Sequence, residues 1–185
     1  MRSSDCDILL IPGLGDSGPD HWQSRWEAKL STARRVVQDD FARSDRLLWV
    51  DRLLDETRRA TRPVVWVAHS CGVLAAAHAA MELSDGKVRG AFLVAPPGAT
   101  AVLAMDEIDN SYIPLPRAPF PFPSILVASS NDPYCPLAEA EDLAYAWGSA
   151  FTPAGDAGHL NTASGHGPWP EGSMRFAMFL KTLSA

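Results

Sequence analysis

The sequence predicts an α/β fold with three layers, in which helices cover both faces of a central, mostly parallel sheet of about six strands. Short apolar runs alternate with helical patterns along the chain, as in consecutive strand–helix–strand units. The 185 residues are enough for a sizeable core, and fractions of 46% hydrophobic and 21% charged residues are ordinary for a globular protein. We therefore expect a single domain over residues 1–185.

Six apolar runs of strand length set the order of the elements. We expect strands at Asp7–Ile11, Arg34–Gln38, Val64–Ala68, Val88–Ala95, Ser124–Ser129 and Ala150–Thr152. Helical patterns fill most of the connections, and a proline suited to the first helical position starts the first of them. The expected helices run from near Pro19 to about Leu30, from Ser44 to about Ala60, and over Cys71–Leu83, Pro136–Trp147 and Glu171–Leu183.

The connection between the fourth and fifth strands, residues 96–123, is a long loop that holds seven of the chain's 15 prolines. Long connections without secondary structure are uncommon inside compact domains, and they often have a functional role. Two interpretations remain open. The segment is a cap or rim over an active site, or it is a passive connection that covers the edge of the sheet.

The third expected strand runs into a serine that is flanked by small residues. The motif is Ala68-His69-Ser70-Cys71-Gly72, and an alanine-rich helix follows directly. This order of strand, sharp turn and helix is typical of a nucleophile elbow, where small residues two positions either side of the serine avoid a clash between helix and strand. The pattern here is A-x-S-x-G, and it predicts Ser70 as a catalytic nucleophile. The alternative is a serine that caps an ordinary helix.

An attacking serine needs a general base, the base needs an orienting acid, and after an elbow the chain order is serine, acid, histidine. Asp132 follows the fifth strand and precedes a proline, which favours an extended turn. His159 follows the sixth strand in a loop that contains glycine. We predict Asp132 as the acid and His159 as the base. Asp106 and Asp109 are alternatives for the acid, and His166 is the alternative for the base.

The other histidines and one further aspartate have different expected places. Strand alternation turns His69 away from the serine. His21 opens the first helix, and His78 lies on the helix that follows the elbow. Asp156 precedes the predicted base by three residues and is expected to be a loop residue.

An oxyanion hole requires two backbone N–H donors. We predict one from Cys71, the residue after the nucleophile, and one from Leu14 in the loop after the first strand, where Gly13 and Gly15 allow a close approach of the backbone. Together with Gly18, these glycines also match the G-x-G-x-x-G pattern of a dinucleotide-binding turn. That alternative leaves the serine, the aspartate and the histidine without a role.

Composition and charge argue against several classes of partner. The formal net charge of −6 disfavours binding to nucleic acid or to anionic membranes. We expect neither a signal peptide nor a membrane span. The three cysteines lack zinc-ligand spacing and fit reduced thiols. We therefore expect a cytoplasmic protein without metal or cofactor, and a solvated helix face for the cluster of arginines: Arg52, Arg58, Arg59 and Arg62.

Several motifs occur in one order along nearly the whole chain: Ile11-Pro12-Gly13-Leu14-Gly15, Gly18-Pro19-Asp20-His21-Trp22-Gln23 with Trp26, Ala68-His69-Ser70-Cys71-Gly72, Asn131-Asp132-Pro133-Tyr134, Gly158-His159-Leu160-Asn161 and Gly167-Pro168-Trp169-Pro170-Glu171-Gly172. Together they resemble the small serine hydrolases of the retinoblastoma-binding-protein-nine/YdeN family, a branch of the α/β hydrolases. The resemblance implies a reduced α/β-hydrolase fold and a Ser–Asp–His triad of Ser70, Asp132 and His159. It does not settle the substrate.

The residues and the resemblance together lead us to expect a serine hydrolase that cleaves small carboxylic esters through an acyl-enzyme. Amidase or aminopeptidase activity of the same three residues is one alternative, and a protein-interaction module on a hydrolase scaffold is another, although the sequence does not indicate a protein partner. Five residues are expected to line the substrate pocket, of which the aromatic ones could equally be packing residues: Gly13, Gly15, Trp22, Tyr134 and Trp169.

Overall fold

The computed structural model describes residues 1–84 and 86–184. Its strands are β1 (Asp7–Ile11), β2 (Ala33–Arg35), β3 (Val64–His69), β4 (Val88–Val94), β5 (Ser124–Ala128) and β6 (Ala150–Pro153). They form one six-stranded sheet in the order β2-β1-β3-β4-β5-β6, and every neighbouring pair is parallel. The predicted α/β fold with a central sheet of about six strands is confirmed.

The α-helices of the described residues are α1 (Trp22–Lys29), α2 (Arg46–Arg59), α3 (Cys71–Ala80), α4 (Ala99–Ala104), α5 (Leu137–Trp147) and α6 (Pro170–Thr182). Short 3-10 turns occur at Ser3–Asp5, Asn110–Tyr112 and Thr162–Ser164. None of the helices within residues 1–84 and 86–184 is both long enough and apolar enough to cross a membrane.

Two hydrophobic cores lie on opposite faces of the sheet, because successive strand residues point to opposite sides. On β3, Val65 and Val67 pack with residues of α1 and α6, whereas Trp66 and Ala68 pack with residues of α2, α3 and α5. Every residue of β3 is buried, as expected of a central parallel strand that is covered on both faces. The strand that leads into Ser70 is therefore fixed from both sides.

The carboxyl ends of the strands meet at one edge of the sheet, which is where parallel sheets bind ligands. Ile11 is in register with Ala68 at the ends of β1 and β3, and Ala128 is in register with Pro153 at the ends of β5 and β6. The loops after these four strands consequently leave the sheet side by side. They carry all of the predicted catalytic residues.

The first helix begins later than the sequence predicted. It starts at Trp22 instead of near Pro19, because the His21 side chain caps it. The imidazole Nδ1 of His21 accepts a hydrogen bond from the backbone N–H of Gln23, which satisfies one of the free N–H groups at the helix start. Pro19 therefore belongs to the loop before the cap.

The second strand is shorter than the sequence predicted and ends at Arg35 instead of Gln38. It lies at the edge of the sheet, where β1 is its single neighbour. The last ladder pair is Leu10 with Arg35, and Val37 beyond it is exposed. The apolar run in the sequence therefore extends beyond the last residue that pairs in this edge strand.

Residues 96–123 are more ordered than a plain loop, and the expectation of a segment without secondary structure is wrong. The segment contains α4 and the turn at Asn110–Tyr112. Glu139 on α5 accepts a hydrogen bond of 2.7 Å from the backbone N–H of Ala99 and so caps α4. Further along, the indole N–H of Trp147 donates to the carbonyl of Pro116 at 2.8 Å. A six-residue helix is too short to show a clear periodicity, which is why the sequence did not predict it.

Candidate active site

Ser70 lies in the tight turn between β3 and α3. Its backbone has φ 54° and ψ −128°, a conformation that costs a non-glycine residue about 1–3 kcal/mol. Two glycines allow the turn. A Cβ on Gly72 would lie 2.3 Å from the carbonyl oxygen of Ile11, and a Cβ on Gly13 would lie 2.6 Å from the Cβ of Ser70. This geometry is the one expected of a nucleophile elbow.

Ala68 occupies the position where the commoner elbow pattern has glycine. Its side chain is fully buried and packs into the core on the side of α2, α3 and α5. The methyl group therefore has a place in the core, and A-x-S-x-G makes the same turn as G-x-S-x-G.

Replacing Gly72 with alanine should lower the free energy of unfolding by about 3 kcal/mol, the upper end of the usual cost of overpacking. The new methyl would meet backbone atoms of Ile11 and Pro12, which cannot rotate away as a side chain can. Urea denaturation followed by tryptophan fluorescence measures the effect. Gly18→Ala is the matched control, because a Cβ there meets no atom within 4 Å. A Gly72→Ala variant as stable as the control would contradict the close approach of α3 to β1.

The structure brings Ser70, His159 and Asp132 together at the carboxyl ends of β3, β6 and β5. The Oγ atom of Ser70 lies 2.9 Å from Nε2 of His159, and Nδ1 of His159 lies 3.0 and 2.9 Å from the two carboxylate oxygens of Asp132. The carboxylate holds the proton on Nδ1, so Nε2 accepts the hydrogen bond from the serine hydroxyl. With this polarity the imidazole can take a proton from Ser70.

The loop after β5 holds Asp132 in place. Its Oδ1 accepts a hydrogen bond of 2.9 Å from the backbone N–H of Tyr134. The amide oxygen of Asn131 accepts hydrogen bonds from the Ser129 hydroxyl at 2.8 Å and from the Gly158 N–H at 2.7 Å. Asn131 thus ties the loop of the aspartate to the loop of the histidine and fixes the distance between them.

Two buried side chains hold the backbone around His159. The indole N–H of Trp22 donates to the carbonyl of Leu160 at 2.9 Å, and Leu160 has a left-handed φ of 50°. The imidazole Nε2 of His69 donates to the carbonyl of His159 at 2.9 Å. Trp22 and His69 are therefore positioning residues for His159. The sequence did not predict this role, and the available signal was that both residues belong to motifs of the family resemblance.

Two histidines next to the site are neutral at physiological pH. Burial lowers the pKa of His69 well below its usual value of 6.5. Burial, with a smaller contribution from the positive charge of Arg35, lowers the pKa of His21 to about 4. Protonation of either ring would place a cation in a desolvated position.

Acidification should therefore destabilise the protein. Below about pH 6.5 the unfolded chain binds protons on these histidines that the folded chain does not, so stability falls as the pH decreases. For His21, whose pKa is lowered to about 4, we expect the free energy of unfolding to be lower at pH 5 than at pH 7.5 by on the order of 2 kcal/mol, and His69 should lower it further in the same direction. Urea denaturation at both pH values measures it. His69→Gln keeps a donor near the Nε2 position and should show a smaller loss, and an equal loss in the variant would contradict the assignment to His69.

The alternative acids and the alternative base lie elsewhere. Asp109 caps the turn at Asn110–Tyr112 by accepting from the Ser111 N–H, and Asp106 is exposed on the connection after α4. His166 has its Nδ1 3.3 Å from the Ser164 hydroxyl. Asp156 accepts a hydrogen bond from the Ser130 hydroxyl, as expected of a loop residue.

The two predicted oxyanion-hole residues, Leu14 and Cys71, both line the cavity at Ser70. The Cys71 side chain is buried. Burial raises the pKa of its thiol to about 11, although the nearby Leu14 N–H opposes this. The thiol is therefore protonated at neutral pH and is a poor nucleophile. Gly15 has a structural role, because its backbone N–H donates a hydrogen bond to the Phe41 carbonyl at 2.7 Å.

A cavity of about 280 Å³ opens over Ser70, slightly below the common range for drug-sized ligands. Gly13 and Tyr134 line it as the sequence predicted, and the Tyr134 ring lies 4.6 Å from the ring of His159. Pro97, Met105 and Ile108 also line it, and they belong to the segment 96–123 that the sequence offered as a rim of the site. The sequence did not predict the lining residues Asp16, His21 and Asn161.

Trp22 and Trp169 do not line this cavity, and the expectation that they form its wall needs correction. Trp22 is fully buried and Trp169 is 6% exposed. Their rings lie 5.1 Å apart and belong to the core between the sheet and the helices α1 and α6. The two large indole rings fill the core beneath the site and do not form the wall of the cavity. Gly15 likewise lies outside the lining of the cavity.

The dinucleotide-binding alternative finds no support in the geometry. A phosphate at such a turn binds the free N–H groups at the start of the following helix. Here α1 begins only at Trp22, and His21 already occupies the N–H of Gln23. Gly13 is packed against Ser70, which places this glycine at the serine and not at a phosphate.

Comparisons with known proteins show the family to which the chain belongs. The family model described as serine hydrolase matches residues 8–178. A YdeN-like hydrolase from Pectobacterium atrosepticum is 35% identical, with 96% of this chain and 91% of the relative covered and a TM-score of 0.84. The ydeN gene product of Bacillus subtilis is 19% identical, with 96% and 100% covered and a TM-score of 0.77.

A more distant structure shares the fold. Esterase 2 of Thermogutta terrifontis is 15% identical, with 100% of this chain and 88% of that chain covered and a TM-score of 0.67. No sequence among the curated proteins matches the chain. The resemblance to YdeN-type hydrolases is confirmed by the 35% identical structure and by the family model. The chain belongs to the serine hydrolase family.

Proposed function

We propose that this protein hydrolyses small carboxylic esters, with Ser70 as nucleophile, His159 as general base and Asp132 as the acid that orients the imidazole. The observation that carries the proposal is the continuous chain of hydrogen bonds from the Ser70 hydroxyl through His159 to Asp132, with heavy-atom distances of 2.9–3.0 Å. A structural role does not require a strained serine at the head of such a chain.

The proposed reaction has two halves. His159 Nε2 takes the proton of the Ser70 hydroxyl while the oxygen attacks the ester carbonyl, and the N–H groups of Leu14 and Cys71 stabilise the developing oxyanion. His159 then gives the proton to the leaving alcohol, and an acyl-enzyme remains on Ser70. Water, activated by the same imidazole, attacks the acyl group and releases the acid.

The size of the cavity supports small substrates. About 280 Å³ beside Ser70 accommodates a short acyl chain and a small alcohol. Residues 97–108 contribute Pro97, Met105 and Ile108 to the lining, so we propose that the connection 96–123 of this single domain is a wall of the pocket. The three cysteines are free and buried, which supports a reducing compartment such as the cytoplasm.

Labelling with a fluorophosphonate probe tests the proposal, because such a probe reacts with serines that a neighbouring base activates. We expect one adduct, located at Ser70 by peptide mass spectrometry, that is absent in Ser70→Ala. Paired p-nitrophenyl esters and p-nitroanilides of the same acids then separate esterase from amidase or aminopeptidase activity. Absence of labelling in the folded protein would contradict the proposal and would favour an interaction module on the same scaffold.

A further inference from the structure

Two chemically different groups of residues line the cavity at Ser70, and we call them its apolar flank and its polar flank. The apolar flank consists of Leu14, Met105 and Ile108, which belong to or pack against the core under α2, α3 and α5. The polar flank consists of Asp16, His21 and Asn161, which lie in the loop before α1 and the loop after β6. A substrate that fills the cavity thus meets apolar atoms from one group of residues and polar atoms from the other.

His21 offers a single, fixed hydrogen-bond donor to the polar flank. Its Nδ1 accepts the N–H of Gln23 at 3.2 Å, so that nitrogen carries no proton. Burial lowers the pKa of His21 to about 4 and keeps the ring neutral, and the one proton of a neutral imidazole must then be on Nε2. The helix cap therefore decides the tautomer.

The Nε2–H of His21 is open to the cavity. Across residues 1–84 and 86–184, no buried side-chain nitrogen or oxygen lacks a hydrogen-bond partner. Within the same residues, Nε2 of His21 makes no hydrogen bond, so this atom is not buried in the core. His21 is only 5% exposed, and it lines the cavity. The small exposed part of its ring, with the Nε2–H donor, therefore faces the space beside Ser70.

The polar flank adjoins His159, the proposed general base. The ring of His21 is 4.9 Å from the ring of His69, which is 5.0 Å from the ring of His159. Asn161 follows His159 by two residues and lines the same flank. Because His159 must hand its proton to the leaving alcohol, that alcohol lies next to His159. The apolar flank is then left for the acyl group.

We propose that His21 is a specificity-determining residue, whose Nε2–H donates a hydrogen bond to an oxygen within the leaving alcohol. The preferred substrates are therefore esters of a short apolar acid with an alcohol that carries an ether, hydroxyl or carbonyl oxygen. This inference rests on the proposed function of Ser70 and goes beyond it by naming the class of alcohol.

The test compares two esters of the same short acid, the 2-methoxyethyl ester and the n-butyl ester, which differ by one oxygen in place of one methylene. The quantity measured is the ratio of their kcat/KM values, methoxyethyl over butyl, so that any general loss of activity cancels. His21→Asn keeps an oxygen where Nδ1 caps α1 but has no N–H where Nε2 lies. We expect it to lower the ratio roughly three- to tenfold, the size of one neutral hydrogen bond.

His21→Gln is the matched variant, because its amide N–H reaches the position of Nε2 while the cap is lost. It should keep the ratio within about twofold of the parent even where it lowers stability. An unchanged ratio in His21→Asn, an equal fall in both variants, or no turnover of either ester would each overturn the inference. Fluorophosphonate labelling of Ser70 in the parent protein separates the two proposals. Labelling with an unchanged ratio removes the role of His21 alone, whereas absence of labelling removes both.

Discussion

Replacing Ser70 with alanine is expected to lower kcat on p-nitrophenyl esters by on the order of 10⁶-fold, the loss seen when a serine nucleophile that works as a unit with its base is removed. The reason is that Oγ is the atom that we propose receives the acyl group, and the neighbouring Cys71 thiol cannot replace it because it is buried. The residual rate would come from the oxyanion donors and from substrate binding.

Ser130→Ala is the control for this variant. Ser130 also follows a strand of the same sheet edge, but it is exposed and its hydroxyl donates to Asp156. Its kcat should stay within about twofold of the parent value, because a surface substitution of this kind changes little. A Ser70→Ala variant that retains the parent rate would contradict the covalent mechanism.

Replacing Asp132 with asparagine is expected to lower kcat by about 10⁴-fold. An amide cannot hold the proton on Nδ1 of His159, so the imidazole adopts the tautomer that is unable to accept the serine proton. The fold should survive, because the amide oxygen can still accept the N–H of Tyr134. Steady-state kinetics measure the loss, and thermal denaturation shows whether the variant remains folded.

Two further variants test the alternatives that the sequence left open. Asp109→Asn keeps the cap of the turn at Asn110–Tyr112, since asparagine caps as well as aspartate, and we expect little change in kcat. His166→Ala should likewise leave most of the activity, because His166 contacts Ser164. A large loss in either variant, together with a small loss in Asp132→Asn, would move the acid or the base to the alternative residue.

The sequence predicted the fold class well because that information is local. Apolar runs and their spacing give the strands, and the motif around Ser70 predicts a sharp turn wherever it follows a buried strand. The same holds for Asp132 and His159, which lie in the loops that follow β5 and β6. Since the carboxyl ends of parallel strands share one edge, their order along the chain is enough to predict that they meet.

The pocket could not be predicted in the same way, because its shape depends on contacts between distant segments. Met105 and Ile108 reach the site only through the way residues 96–123 fold back over the sheet edge. Trp22 and Trp169 belong to the motifs of the family resemblance, but they pack into the core beneath the site. A motif shows that a residue matters without showing whether it touches the substrate or holds a neighbour in position.

The left-handed backbone conformation of Ser70 lowers stability at a residue that the proposed activity requires. Glycine is the amino acid that would relax this turn, yet glycine has no hydroxyl, so a gain in thermodynamic stability from glycine at this position would remove the proposed nucleophile. Selection for a more durable protein must therefore act elsewhere, on the packing of β3 and α3 that offsets the strain. The hydroxyl that we propose as the nucleophile is thus held on a backbone conformation that serine rarely adopts.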